Sequence, residues 1–180
     1  MMFKWRYEAP EGFDDILMCS DGDVLTGLSF ACSSGLEERI RDFRERKLPV
    51  FRETCRWLDC YFGGEHPDFS PQYSILGSTP FRDEVLCELV KIPYGTTTTY
   101  GKIAAAIARR HGNGKMSAQA VGGAVGWNPI GIIIPCHRVI GADGSPTGYG
   151  GGMRNKMALL RLEGSTSCKS SLVGRTRSAK

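Results

Sequence analysis

The sequence predicts an α+β fold: a small N-terminal α/β domain with a short antiparallel sheet over residues 1–78, then a mostly helical domain over residues 79–164 containing a helix-turn-helix. Three observations carry this. Two short apolar segments near the N-terminus flank an Asp-Gly turn, the stretch Phe69–Ser78 has the Pro/Ser composition of a linker, and the segments after it show helical apolar spacing behind capping residues. At 180 residues and 41% hydrophobic content, the chain is an ordinary globular protein with enough material for a core. No apolar run approaches the roughly 20 residues that span a bilayer, and Met1 to Pro10 lacks the apolar stretch of a signal peptide, so an intracellular protein with no membrane partner is expected.

In chain order, Ile16–Cys19 and Val24–Phe30 are strand-like runs separated by Ser20-Asp21-Gly22-Asp23, a hairpin signature. Leu36–Lys47 is dense in Glu and Arg and reads as a solvated helix. Val50, Phe51, Thr54, Trp57, Leu58 and Tyr61 repeat at helical spacing through Phe62. After the linker, Thr79 caps a helix with Pro80 at its first position and Phe81, Val85, Leu86, Leu89 and Val90 along one stripe. Ile92-Pro93-Tyr94-Gly95 ends it, and Thr99 caps the next helix, Tyr100–Arg110, with Ile103, Ala104 and Ile107 inward. His111-Gly112-Asn113-Gly114 is a turn, and Ser117 caps Ala118–Val125. Two short helices across a Gly-rich turn read as helix-turn-helix.

Charge is segregated along the chain. Residues 1–78 hold 9 Lys/Arg against 14 Asp/Glu, whereas residues 79–164 hold 10 against 5, and residues 165–180 add four positive charges and no negative ones. That last segment is too polar to offset its ordering entropy and reads as a disordered basic tail. The basic second half faces an anion, either a phosphodiester backbone or the acidic first half. Seven cysteines include no Cys-x-x-Cys pair and only three histidines accompany them, so neither a disulfide framework nor a metal site is expected, although a zinc site closed only in the fold stays open.

Cys136 is the residue with chemistry in it. In Ile132-Ile133-Ile134-Pro135-Cys136-His137-Arg138-Val139-Ile140, Pro135 lacks an amide donor and breaks regular pairing where the sulfur begins, and an imidazole follows directly. The thiol is either a reactive nucleophile or a small core hydrophobe. The helix from Ala118 poses a similar choice. Gly122 and Gly123 each cost about 1 kcal/mol of helix propensity relative to alanine, which implies tight packing inside the protein or close approach to a nucleic acid.

Taken together, these residues resemble the O6-alkylguanine-DNA alkyltransferases, the methylated-DNA–protein-cysteine methyltransferases. The resemblance runs in order through Tyr100, Ala120-Val121-Gly122-Gly123-Ala124, Asn128-Pro129, Ile134-Pro135-Cys136-His137-Arg138-Val139, Thr147-Gly148-Tyr149-Gly150-Gly151-Gly152, Lys156–Leu160 and Glu163-Gly164. About 85 residues carry it strongly, and the first half carries it more weakly through its layout and the stretch Trp57–Phe62.

The resemblance implies DNA repair by one irreversible transfer of an alkyl group from guanine O6, with O4-alkylthymine a second candidate lesion, onto the protein's own cysteine. Cys136 would be the acceptor, His137 would take its proton through a water, Glu163 would orient the imidazole, and Asn128 would brace the turn. The nucleotide must leave the stack to be reached. The family pattern has the glycine-rich helix enter the minor groove, with Ala118, Ala120 and Gly122 as contacts. Tyr100 would help displace the base and assist the leaving guanine, and backbone around Cys136, Val139, Tyr149 and Gly150 would read the extruded base. Gln119 stands where family members commonly carry an arginine that fills the gap in the duplex. Taken alone, Tyr100 could be a core tyrosine, Glu163 an exposed helix-end carboxylate and Asn128 a plain turn residue. Double-stranded DNA is the implied partner, a monomer the implied state, and no cofactor is needed because the lesion is itself the donor. The rivals are a lesion-binding sensor of the same fold, which would lack the acceptor thiol, and a cysteine hydrolase, which would turn over repeatedly. Small residues at Gly131 and Gly150 lead us to expect room for alkyl groups larger than methyl.

Overall fold

The hairpin expected around Asp21-Gly22 forms at one side of a four-stranded sheet. Strands β1 (Phe3–Tyr7), β2 (Ile16–Ser20), β3 (Leu25–Phe30) and β4 (Arg44–Glu45) lie in the order β3-β2-β1-β4, with β1/β2 and β2/β3 antiparallel and β1/β4 parallel. The Asp21 carboxylate accepts from the backbone N–H of Asp23 at 3.1 Å and of Val24 at 3.0 Å, which closes the turn locally. Every residue of β2 is buried because both faces of the sheet are covered: Ile16 and Met18 join the main core, while Leu17 and Cys19 pack on Leu36 and Ile40. The computed structural model describes residues 1–112 and 114–165. Apart from Ser165, the expected basic tail lies outside the described residues.

Two expectations for the first half are corrected. Leu36–Lys47 is helical only for the single turn α1 (Leu36–Arg39), after which Arg44 and Glu45 pair with β1. The open edge of β1 satisfies backbone groups that an uncapped, charge-rich helix would leave to water: Arg44 N–H donates to Met2 O at 3.0 Å. The stretch Phe69–Ser78 is not a free linker. It lies along β3, with Leu25 N–H donating to Gln72 O and Ser74 N–H to Leu25 O, both at 2.9 Å.

Helix α2 (Pro49–Phe62) buries Val50, Phe51, Thr54, Trp57, Leu58 and Tyr61, the residues its periodicity marks. Beyond it come α3 (Pro80–Val90), β5 (Thr98–Thr99), α4 (Tyr100–Arg110), α5 (Ala118–Gly126), β6 (Val139–Ile140) and α6 (Met153–Leu162). The hydroxyls of Thr79, Thr99 and Ser117 cap α3, α4 and α5 as their positions predict. β5 and β6 form a short parallel pair. The apolar core runs unbroken from Met18, Leu28 and Phe30 of the sheet through Phe51 and Leu58 to Leu89, Ile107, Val121, Ile134 and Leu159. Among the described residues no helix is long and apolar enough to cross a membrane.

The segment that leads to Cys136 is fastened to the sheet. Leu28 N–H donates to Pro129 O and Gly131 N–H donates to Leu28 O, each at 2.8 Å, so the outer edge of β3 sets the position of residues 129–131. That close approach explains Gly131 better than pocket space does, since a Cβ there would lie 3.0 Å from the Leu28 carbonyl oxygen.

Candidate active site

Residues 130–135 are apolar and buried for the most part, yet they do not form a strand. The backbone leaves regular pairing at Gly131, earlier than Pro135 implies, and winds through tight turns: Ile133 N–H donates to Gly131 O at 2.8 Å and Ile134 N–H to Ile130 O at 3.0 Å. Ile132 has φ 67°, the only positive φ at a non-glycine residue among those described. A β-branched residue there stores on the order of 1–3 kcal/mol of strain, sustained only where neighbours over-determine the backbone. Asn128 is one such neighbour. Its amide nitrogen donates to Ile134 O at 2.8 Å and to Cys136 Sγ at 3.1 Å, while its oxygen accepts from Ile130 N–H at 3.1 Å. Asn128 thus braces the turn and touches the sulfur.

Cys136, His137 and Arg138 form a single 3-10 turn. Cys136 and His137 are therefore neighbours on a tight turn and not on extended backbone. His137 is wholly buried, and its Nε2 lies 2.8 Å from Glu163 Oε1. Glu163 collects donors from four residues: His137, Tyr61 Oη at 2.6 Å, Arg138 Nε and Nη2 at 2.9 Å each, and Gly95 N–H at 3.3 Å. Far from being an exposed helix-end carboxylate, it is the hub of the buried network. Its place is set by the end of α6, where Ser165 N–H donates to Leu160 O and Gly164 N–H to Arg161 O in a Schellman turn. Gly95 must be glycine, with φ 74° and a hypothetical Cβ only 2.9 Å from the Glu163 carbonyl oxygen.

The electrostatics follow from this geometry. Burial alone would raise the Glu163 carboxyl, but hydrogen bonds and charge from His137 and Arg138 outweigh it and hold the group at about 2. Burial lowers His137 against the pull of Glu163, so the ring is neutral at pH 7. With Nε2–H given to the carboxylate, Nδ1 carries the lone pair, and it has no hydrogen-bond partner among the described residues. Burial likewise pushes the Cys136 thiol up, against the partial offset of the Asn128 hydrogen bond and the Lys156 charge. The sulfur rests as a thiol. It is not the standing thiolate that its reactivity first suggests.

A cavity of about 750 Å³ opens onto the sulfur, and its wall includes Tyr100, Gly122, Asn128, Cys136, Tyr149 and Gly150. Six of the twelve residues marked in the sequence thus meet at one surface, and His137 and Glu163 lie directly behind it. Val139 is different: its side chain is fully buried and its carbonyl accepts from Lys156 Nζ at 2.7 Å, away from the wall. Ala118, Gln119 and Ala120 are exposed on the first turn of α5. A Cβ at Gly123 or Gly126 would meet nothing within 4 Å, and one at Gly122 would meet only the Tyr100 ring, at 3.8 Å. Internal packing does not require these glycines, so their effect is to thin the outer face of the helix.

Sequence reasoning missed three members of the site. Arg138 is buried, pairs bidentately with Glu163 and donates to Ile92 O at 2.6 Å. Tyr61 is marked only as an apolar position of α2, although a buried tyrosine hydroxyl needs a partner. Lys156 is fully buried and ties β6 to the 147–152 loop through Val139 O and Thr147 O, at 2.7 Å each. Among the described residues no group of three or more His, Cys, Asp or Glu side chains could hold a metal ion.

The network makes acid stability testable. The folded-state pKa of Glu163, about 2, lies below its ordinary 4.5, so its contribution is full above 4.5 and lost as pH falls from there toward 2. That amounts to about 3 kcal/mol. His137 acts in the same direction, because below its ordinary 6.5 the unfolded ring binds a proton that the buried one resists. The urea midpoint is expected to fall progressively between pH 6.5 and pH 3, and a flat profile there would contradict the pairing.

Comparison with known proteins places this arrangement. A family model described as 6-O-methylguanine DNA methyltransferase, DNA binding domain, matches residues 80–165. A methylated-DNA–protein-cysteine methyltransferase of Methanosarcina acetivorans is 43% identical over 164 residues, covering 91% of this chain and 99% of that protein. The crystal structure of the Mycobacterium tuberculosis O6-methylguanine methyltransferase is similar with a TM-score of 0.76 at 38% identity, covering 92% of this chain and 94% of that one. The same organism's OGT in complex with DNA gives 0.76 at 37% identity, covering 91% and 93%. With a thiol, a neutral imidazole and a locked carboxylate placed as described, and with likeness extending over both halves, this chain belongs to the methylated-DNA–protein-cysteine methyltransferase family.

Proposed function

We propose that this protein repairs O6-alkylguanine in double-stranded DNA by moving the alkyl group once, irreversibly, onto Cys136. The observation that carries the reading is the position of Cys136 Sγ: it faces a cavity large enough for a base, while a neutral imidazole with a free Nδ1 sits one residue away. In the transfer the sulfur–carbon bond forms as the carbon–O6 bond breaks. The thiol proton passes to His137 Nδ1 through a water, Glu163 stabilises the imidazolium, and the departing guanine is stabilised by a hydrogen bond from Tyr100. Tyr100 Oη is within 3.5 Å of Thr147 O, which aims the phenol across the cavity mouth. Residues 79–164 then carry the DNA surface and the acceptor, and residues 1–78 supply the sheet edge that fixes residues 129–131. The six described cysteines form no disulfide, which fits an intracellular protein.

The thin face of α5 suits the minor groove, with Ala118, Ala120 and Gly122 against the sugar edges and Gln119 at the gap left by the extruded base. Gln119→Ala is expected to slow repair of duplex substrate roughly three- to tenfold, the effect of one neutral hydrogen bond. An unchanged rate would remove Gln119 from that role. The cavity lies within the roughly 300–1,000 Å³ of small-molecule sites, so O6-benzylguanine is expected to inactivate the protein, and its exclusion would count against the pocket as drawn. The reading itself is tested by intact mass after mixing with an O6-methylguanine duplex. One added methyl group on Cys136 supports it; repeated turnover or no covalent change refutes it.

A further inference from the structure

We propose that Asp14, in the acidic first half, is a positioning residue for the loop Tyr149–Gly152, acting through Asn155 on the Gly151 carbonyl. The inference rests on the reading above, in which this loop receives the extruded base. Asn155 is completely buried, and its amide nitrogen has two hydrogens to give. One goes to Gly151 O at 2.7 Å and the other to Asp14 Oδ2 at 2.8 Å, while Asp14 N–H donates to Asn155 Oδ1 at 3.0 Å. Asp14 therefore holds the amide at both ends. Turning it over would set the Asn155 oxygen against two acceptors, so Asp14 decides that the N–H side faces Gly151.

Two more residues of the first half converge on the same loop. Cys32 Sγ–H donates to Gly151 O at 3.3 Å, and Phe30 lies so close that a Cβ at Gly151 would be 2.6 Å from Phe30 Cδ2. The Tyr149 ring meets Phe30 edge-on with centroids 6.4 Å apart. The loop has no regular hydrogen-bonded ladder of its own, yet Tyr149, Gly150 and Gly151 all line the Cys136 cavity. Its shape is thus set by Asn155 of α6 together with Asp14, Phe30 and Cys32 of the first half. Asp14 also pairs with exposed Arg154, and this surface contact offers a control.

The test measures affinity for an O6-methylguanine duplex and for the undamaged duplex, together with the rate of Cys136 alkylation by iodoacetamide. Asp14→Ala is expected to weaken lesion affinity about five- to tenfold, with affinity for undamaged duplex and the iodoacetamide rate unchanged within about twofold. Asp14→Asn keeps an acceptor for Asn155 and is expected to behave as the parent, as is Arg154→Ala. A merely structural role would move all three readouts together. Cys32→Ala, at an exposed position, is the second arm, with about a threefold loss of lesion discrimination expected. Normal discrimination in Asp14→Ala, or in Cys32→Ala should Asp14→Ala not fold, overturns the proposal, as does an Asp14→Asn variant impaired like Asp14→Ala. Parent protein that gains no methyl group sinks the functional reading instead, so the two failures are distinguishable.

Discussion

Cys136→Ser is expected to retain the fold and lesion binding while losing methyl uptake by more than about a thousandfold, as removal of a nucleophile does elsewhere. Asn128 Nδ2, 3.1 Å from the sulfur, can donate to a serine hydroxyl as well, so stability should change by no more than about 1 kcal/mol. What disappears is a nucleophile able to attack a saturated carbon at neutral pH. The structure sharpens why sulfur is needed, because burial pushes the Cys136 thiol up, so that it rests protonated beside the cavity. A thiolate formed from a high-pKa thiol is intrinsically the stronger nucleophile, and a protonated one resists oxidants. Both properties suit a protein whose acceptor is used once. The measurement is intact mass with a lesion-bearing duplex, alongside affinity for the same duplex. A serine variant that still strips the methyl group would sink the assignment of Cys136, and one that no longer binds the lesion would make the thiol part of recognition.

How much of this was legible in the sequence depends on where each signal resides. Helices announced by caps are visible because their cause is local: Thr79, Thr99 and Ser117 each bond to N–H groups two or three residues ahead. The cavity wall is visible because Tyr100, Asn128, Cys136, Tyr149 and Gly150 sit in ordered blocks of the family resemblance. Strand β1 leaves only a weak signal: Phe3, Trp5 and Tyr7 alternate with Lys4 and Arg6, a period-two pattern short enough to pass for an irregular terminus. β4 has no local signature at all. Arg44 and Glu45 are extended because β1 needs a partner, and that need arises only in the assembled sheet. The same holds for Arg138 and Tyr61. Their role is created by Glu163, which is 25 and 102 residues away along the chain.

Glu163→Gln is expected to destabilise the protein by about 3–5 kcal/mol and to abolish transfer, and the two effects can be separated. The amide keeps the shape of the carboxylate, but it brings its own N–H₂ into a shell of donors and leaves Arg138 as a buried cation without an anion. Breaking a buried pair from one side carries about that penalty, whereas replacing both members with neutral groups of similar size is often harmless. Arg138→Met combined with Glu163→Gln should therefore recover at least about 2 kcal/mol relative to the sum of the single variants, because both residues act through one contact. Transfer should not recover. His137 Nε2–H would still lack the ionised partner that makes Nδ1 basic and stabilises the imidazolium, whatever the stability of the fold around it. Urea midpoints and single-turnover rates for the three variants decide the matter. Strictly additive stabilities would mean that Arg138 finds another anion when Glu163 is neutral. A double variant that transfers methyl at the parental rate would mean that the carboxylate serves only to keep Arg138 buried, leaving His137 to act unaided.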